Sequence, residues 1–144
     1  MKVEDYCNLP TFMSEYEVEK LLVDAINNYN NGKYSYDDIV RIMYVLSDSF
    51  SWNIEAMDLS DEIREKLENF VFSLWKYEKN VNNQIIMKVI LDFGLQDSYN
   101  KIIDNIDYLK ETDYDMYTFL NEVVSINGKD ISNNFEKHKS DKRL

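Results

Sequence analysis

Carboxylates and tyrosines crowd one stretch of this sequence. Asp104, Asp107, Tyr108 and Glu111 recur at spacings of three and four, and Asp113, Tyr114 and Asp115 follow at once. On a helix such spacings place side chains on one flank, where like charges repel by roughly 0.2–0.5 kcal/mol per pair. Only Lys101 and Lys110 interleave with them. The chemistry of such a flank is cation binding: carboxylates meet Lys or Arg on a partner and a tyrosine supplies the anchor. Asp113 and Asp115 also have a plainer role, since acids at a helix start complement its dipole. A second group of the same kind comprises Trp52, Glu55 and Asp58. Trp52 reads either as a cap over the end of a helical bundle or as an interface anchor.

Bond-breaking chemistry finds little support. The one histidine, His138, lies near the C-terminus, a poor place for the base of a Ser-His-Asp or Cys-His site. The one cysteine, Cys7, has no cation close in sequence to activate its thiol and cannot form an internal disulfide. Zinc needs three or four Cys or His ligands. Asp113-Tyr114-Asp115 opens like a calcium loop but lacks the third ligand, the central glycine and the closing glutamate. There is no phosphate loop or dinucleotide fingerprint, and Gly94 stands alone. Close carboxylate pairs are unavoidable with 27 acids, so no pair is specific. The expectation is a protein without catalytic residues, cofactor or metal.

Net charge narrows the partners. The chain of 144 residues carries -11. Residues 129–144 hold five Lys/Arg and three Asp/Glu, a net of +2, so residues 1–128 carry -11 - 2 = -13. Such a body repels nucleic-acid phosphate and suits either a basic protein partner or simple solubility. No window has the apolar length of a membrane span, and the N-terminal residues lack a signal pattern. A cytoplasmic protein is expected, with one helical domain over residues 1–139 and a flexible basic tail over 140–144. Nothing in the sequence fixes its oligomeric state.

The elements that must position the acidic flank are helical. Residues 1–13 read as an extended arm, with Val3, Tyr6, Leu9 and Phe12 tucked inward. A first helix opens at Ser14, with Glu17 completing a capping box, and ends at Asn30-Asn31-Gly32. A second begins near Ser35 and carries Ile39, Ile42, Met43, Leu46 and Phe50. Residues 51–59 either continue this helix or cross the end of the bundle, and are taken as a connector holding a short turn. A third runs from the Ser60 cap to about Tyr77, with Trp75 at the core edge. The fourth, Val81 to Phe93, has apolar residues around most of its circumference and ends at Gly94, so it sits between neighbours. The fifth is capped by Asp97 or Ser98, with Tyr99, Ile102, Ile103, Ile106 and Leu109 inward. The sixth, capped by Thr112 with Asp115, carries Met116, Phe119, Leu120 and Val123 to Asn127-Gly128. Ile131 and Phe135 extend the apolar pattern a little further. About six helices in three antiparallel hairpins make an all-α domain, either HEAT-like or an irregular bundle.

Two resemblances add to this. The join from Ile85 through Gly94-Leu95-Gln96-Asp97 to Ile102-Ile103 resembles the inter-repeat join of HEAT-like proteins, with Ser98 where those repeats often carry proline. The size, acidic body, aromatic content and paired helices resemble the small acidic all-helical immunity proteins of bacterial toxin systems. That resemblance implies a chain that binds one toxin domain, such as a nuclease, and blocks its active site. A generic helical adaptor, or an inhibitor that mimics nucleic-acid charge, fits the same features. An enzyme with a carboxylate site fits them least.

Overall fold

The structure is a computed structural model that describes residues 1–10, 13–52 and 59–132, with Trp52 described in its backbone alone. Among the described residues there are eight α-helices, one short 3-10 turn and no strand. The chain is all-α. Six helices match the expected ones: α2 (Glu15–Asn30), α3 (Tyr36–Trp52), α4 (Asp61–Leu74), α5 (Asn83–Phe93), α6 (Gln96–Asp104) and α8 (Tyr114–Asn127). Two short helices were not foreseen, α1 (Val3–Tyr6) and α7 (Leu109–Thr112).

Local caps explain most of the boundaries. The Ser14 hydroxyl accepts the Glu17 N–H, and the Ser60 hydroxyl accepts that of Ile63. Ser35 and Asp38 form a reciprocal box, each side chain accepting the other's N–H. Gly32 and Gly94 take φ of +81° and +64° just past α2 and α5, the left-handed turn that glycine adopts without a Cβ clash.

Several expectations need correction. The N-terminal arm contains a helical turn because the Lys2 N–H finds the Asp5 carboxylate at 2.8 Å. Helix α3 continues through Ser51 and Trp52, where a connector was expected. Helix α4 ends at Leu74 rather than Tyr77, with Trp75 already extended at ψ 137°. Val81 stands outside α5 and is 85% exposed. Asp113, not Thr112, caps α8 by accepting the Met116 N–H at 3.2 Å.

The core forms where α5 sits among α3, α4 and α6, and its most extensive contact is with α3. Ile86, Met87, Val89, Ile90 and Phe93 are buried, and the Phe93 ring meets Phe50 with centroids 5.1 Å apart. The central position expected for this helix is therefore observed. Helix α2 packs on α3, whereas α8 packs on α7 and the 3-10 turn. These contacts depart from a plain row of three hairpins. The fifth expected helix is split, and the sixth rests on the split part.

Polar groups lock the joints. At the α5–α6 joint, Arg64 of α4 donates to the Phe93 and Gly94 carbonyls at 2.9 and 3.3 Å. One turn on, the Glu68 carboxylate accepts both the N–H and the hydroxyl of Ser98. The cation thus meets the negative end of α5 and the acid meets the positive end of α6. Glu68 therefore does from α4 what Asp97 or Ser98 was expected to do locally. The Gln96 amide clasps residues 129–131, donating to the Lys129 carbonyl and accepting the Ile131 N–H. Ile131 is fully buried beneath this clasp. Phe12, Phe135, His138 and the tail at 140–144 lie outside the described residues.

Candidate protein-binding surface

The acidic flank is not one continuous helix. Helix α6 stops at Asp104, Asn105 takes φ -110° and ψ 19°, and a 3-10 turn covers Ile106–Tyr108 before α7. No glycine or proline marks this break. The Asn105 side chain bonds back to the Lys101 carbonyl at 2.7 Å, the local competition that favours asparagine at helix ends. Leu109 is carried inward to 1% exposure, while its neighbours turn out.

The break gathers the expected residues. Asp104, Asp107, Tyr108 and Glu111 are all exposed and line one open depression with Asn105, Lys110 and Thr112. Tyr108 is 60% exposed. Asp107 pairs with Lys110 at 3.5 Å, an exposed contact of small energetic value. The charge of Asp107, with smaller contributions from Tyr117, holds the Lys110 ammonium above its ordinary pKa. The Lys110 ammonium also lies 5.3 Å from the centre of the Tyr117 ring. Tyr114 is 66% exposed but does not line the depression; it stands at the start of α8 beside Tyr117, with ring centroids 5.9 Å apart.

The second expected patch cannot be placed beside it. The Trp52 side chain, Glu55 and Asp58 lie outside the described residues. Trp75, expected in the core or at its edge, is buried.

Sequence reasoning missed the α4–α5 loop. Tyr77 from this loop stacks edge-on against Tyr108, with centroids 5.9 Å apart and planes at 85°. Val81, Lys79 and Asn80 line a second depression with Asp113 and Asp115 at the start of α8. The loop is held by amides. Asn83 is fully buried, donates to the Lys76 carbonyl at 2.8 Å and accepts the Lys76 N–H at 3.3 Å. Asn80 donates to Asn83 and to the Tyr36 hydroxyl, which itself donates to the Leu74 carbonyl. Three asparagines in four residues, Asn80, Asn82 and Asn83, were the available signal.

Two other places on the surface gather charged or reactive groups. A cleft of about 610 Å³ lies along α4 and the α5–α6 joint, with Arg64 and Lys101 facing Asp61, Glu65, Glu68 and Asp97. Arg64 and Glu68 already bind backbone there, and Lys101 lies 4.9 Å from the centre of the Phe72 ring. The other is Cys7. The fold supplies the cation that the sequence near it lacks, placing Arg41 Nη2 3.8 Å from the exposed Sγ. No group of His, Cys, Asp and Glu among the described residues is arranged to hold a metal, and none of their helices is long and apolar enough to cross a membrane. No protein-family model, curated protein or solved structure matches this chain.

Proposed function

We propose that this chain is a protein-binding inhibitor, an immunity protein that neutralises a basic bacterial toxin domain in the cytoplasm through the surface around Tyr108. The observation that carries the reading is the depression formed by Asp104, Asp107, Tyr108 and Glu111, where a 60% exposed tyrosine is ringed by carboxylates. A nuclease domain fits such a surface, because its cleft is cationic in order to hold phosphates. Carboxylates on an inhibitor steer encounter with that cleft and disfavour acidic partners. The tyrosine adds rigid, amphipathic contact area at low entropic cost. An irregular bundle serves this role as well as stacked repeats.

The test is protection in cells. Each toxin-like open reading frame beside this gene is expressed alone and together with this chain. One such product is expected to arrest growth, and co-expression is expected to restore it. Restoration should be lost with the Asp104→Lys/Asp107→Lys variant. Failure of the chain to protect against any neighbouring product, or equal protection by the reversed variant, would overturn the proposal.

A further inference from the structure

We infer that the α4–α5 loop forms the second half of the binding surface, and that the two halves together take arginine side chains from a basic protein segment. This rests on the protein-binding reading above and extends it to the chemistry of the partner. Three observations carry it. The Tyr77–Tyr108 stack joins the loop to the 3-10 turn, so both segments present one aromatic surface. Val81 is 85% exposed and shares a depression with Asp113 and Asp115. The loop is nevertheless pinned by the buried Asn83 amide and by Asn80, so its apolar tip is held rigidly in solvent. A rigid segment offering an apolar tip loses little entropy on binding, which is how preorganised interfaces gain affinity.

Charge and ring placement select the occupant. Asp104, Asp107 and Glu111 line the depression that holds the exposed Tyr108 ring, Asp113 and Asp115 line the one beside Val81, and Lys110 and Lys79 are the cations lining them. A guanidinium can pair with a carboxylate in bidentate fashion and lie flat on a tyrosine face, whereas a lysine ammonium is a strongly hydrated point charge. The surface therefore favours arginine over lysine. A second copy of this chain is disfavoured, since it carries the same net charge of -11.

The probes are nona-arginine and nona-lysine peptides, titrated into the full chain and followed by backbone amide shifts. Nona-arginine is expected to bind more tightly, by roughly two- to fivefold for each tyrosine engaged. It should shift amides in both 77–81 and 104–115. Tyr108→Ala should reduce the preference for arginine. Val81→Arg should weaken nona-arginine while leaving the melting temperature unchanged, and Glu15→Lys/Glu17→Lys on the distant start of α2 should change nothing. Equal affinity for the two peptides, shifts at 104–115 without 77–81, or indifference to Val81→Arg would overturn the inference. The cellular result is separate: loss of protection with arginine preference retained would remove the immunity role and leave this surface chemistry standing.

Discussion

Arg64 and Glu68 stand one turn apart on α4 and hold opposite sides of a single joint. Arg64 binds the last carbonyls at the end of α5, and the Glu68 carboxylate accepts the N–H and hydroxyl of Ser98 in the first turn of α6. Replacing Glu68 by alanine leaves the buried Ser98 N–H and hydroxyl without this acceptor. The expected cost is about 1–3 kcal/mol in urea unfolding, with an unchanged slope. Glu68→Gln should recover part of it, because an amide oxygen still accepts. Full stability in Glu68→Ala would show that the joint is held by apolar packing alone.

A charge in the centre of the bundle should be far worse. Val89 is 1% exposed on α5. Val89→Asp would bury a carboxylate without a designed partner, which costs several kcal/mol at least. Soluble folded protein is not expected. Near-normal thermal unfolding of this variant would remove α5 from the core.

The segment after α8 belongs to the fold as far as Ile131. That side chain is fully buried, Gln96 holds the Lys129 carbonyl and the Ile131 N–H, and the Tyr99 hydroxyl donates to the Gly128 carbonyl at 2.7 Å. A Cβ on Gly94 would come within 3.2 Å of the Ile131 and Ser132 carbonyl oxygens, so the strap lies close against the α5–α6 joint. Ile131→Ala should lower stability by about 2–4 kcal/mol. A loss below about 0.5 kcal/mol, the range of surface changes, would show that the strap is not docked in solution.

These polar joints were the least legible part of the sequence. Ser14, Ser60, Gly32 and Gly94 announce their roles because a cap is local: donor and acceptor lie within a few residues. The stripe of Ile86, Val89, Ile90 and Phe93 is equally readable, since helical periodicity alone selects it. Glu68 with Ser98 spans thirty residues and Gln96 with Ile131 spans thirty-five. Only the tertiary arrangement brings such pairs together. The exposure of Asp104, Asp107, Tyr108 and Glu111 was legible from the inward set, but the break at Asn105 was not. Charge pattern alone could not place Tyr77 against Tyr108, because the loop between α4 and α5 carries no periodicity.

Alkaline pH should weaken the fold. Burial raises the phenol pKa of Tyr99 above its usual 10.0. Burial does the same for Tyr36 against the opposing Asn80 hydrogen bond, and for Tyr6, where Tyr34 adds to it. For Lys88, burial pulls the pKa down, but the Asp92 hydrogen bond and the charges of Asp92 and Asp48 outweigh it. All four groups hold their protons more firmly when folded. Their contribution is fully present below the unfolded values, near 10, and is lost as pH rises through the folded ones. Tyrosinate absorbance from Tyr6, Tyr36 and Tyr99 should therefore rise only as the fold unfolds. A single smooth titration without unfolding would contradict this. Lys88→Met should also remove a partner of the nearly buried Asp92, at a cost of about 1–3 kcal/mol near neutral pH. That figure is discounted from the fully buried range because the Lys88 side chain is 38% exposed.

The central claim is that the acidic surface around Tyr108 is where a basic partner docks. Its most direct test is the association rate of the Asp104→Lys/Asp107→Lys variant with the protein identified by cellular protection, measured at low salt. Both residues are exposed and Asp107 gives up a surface contact to Lys110, so the variant should melt like the parent. Association should slow by roughly tenfold or more, and the parent rate should fall steeply as salt is added. An unchanged rate for the folded variant at low salt would show that the partner docks elsewhere.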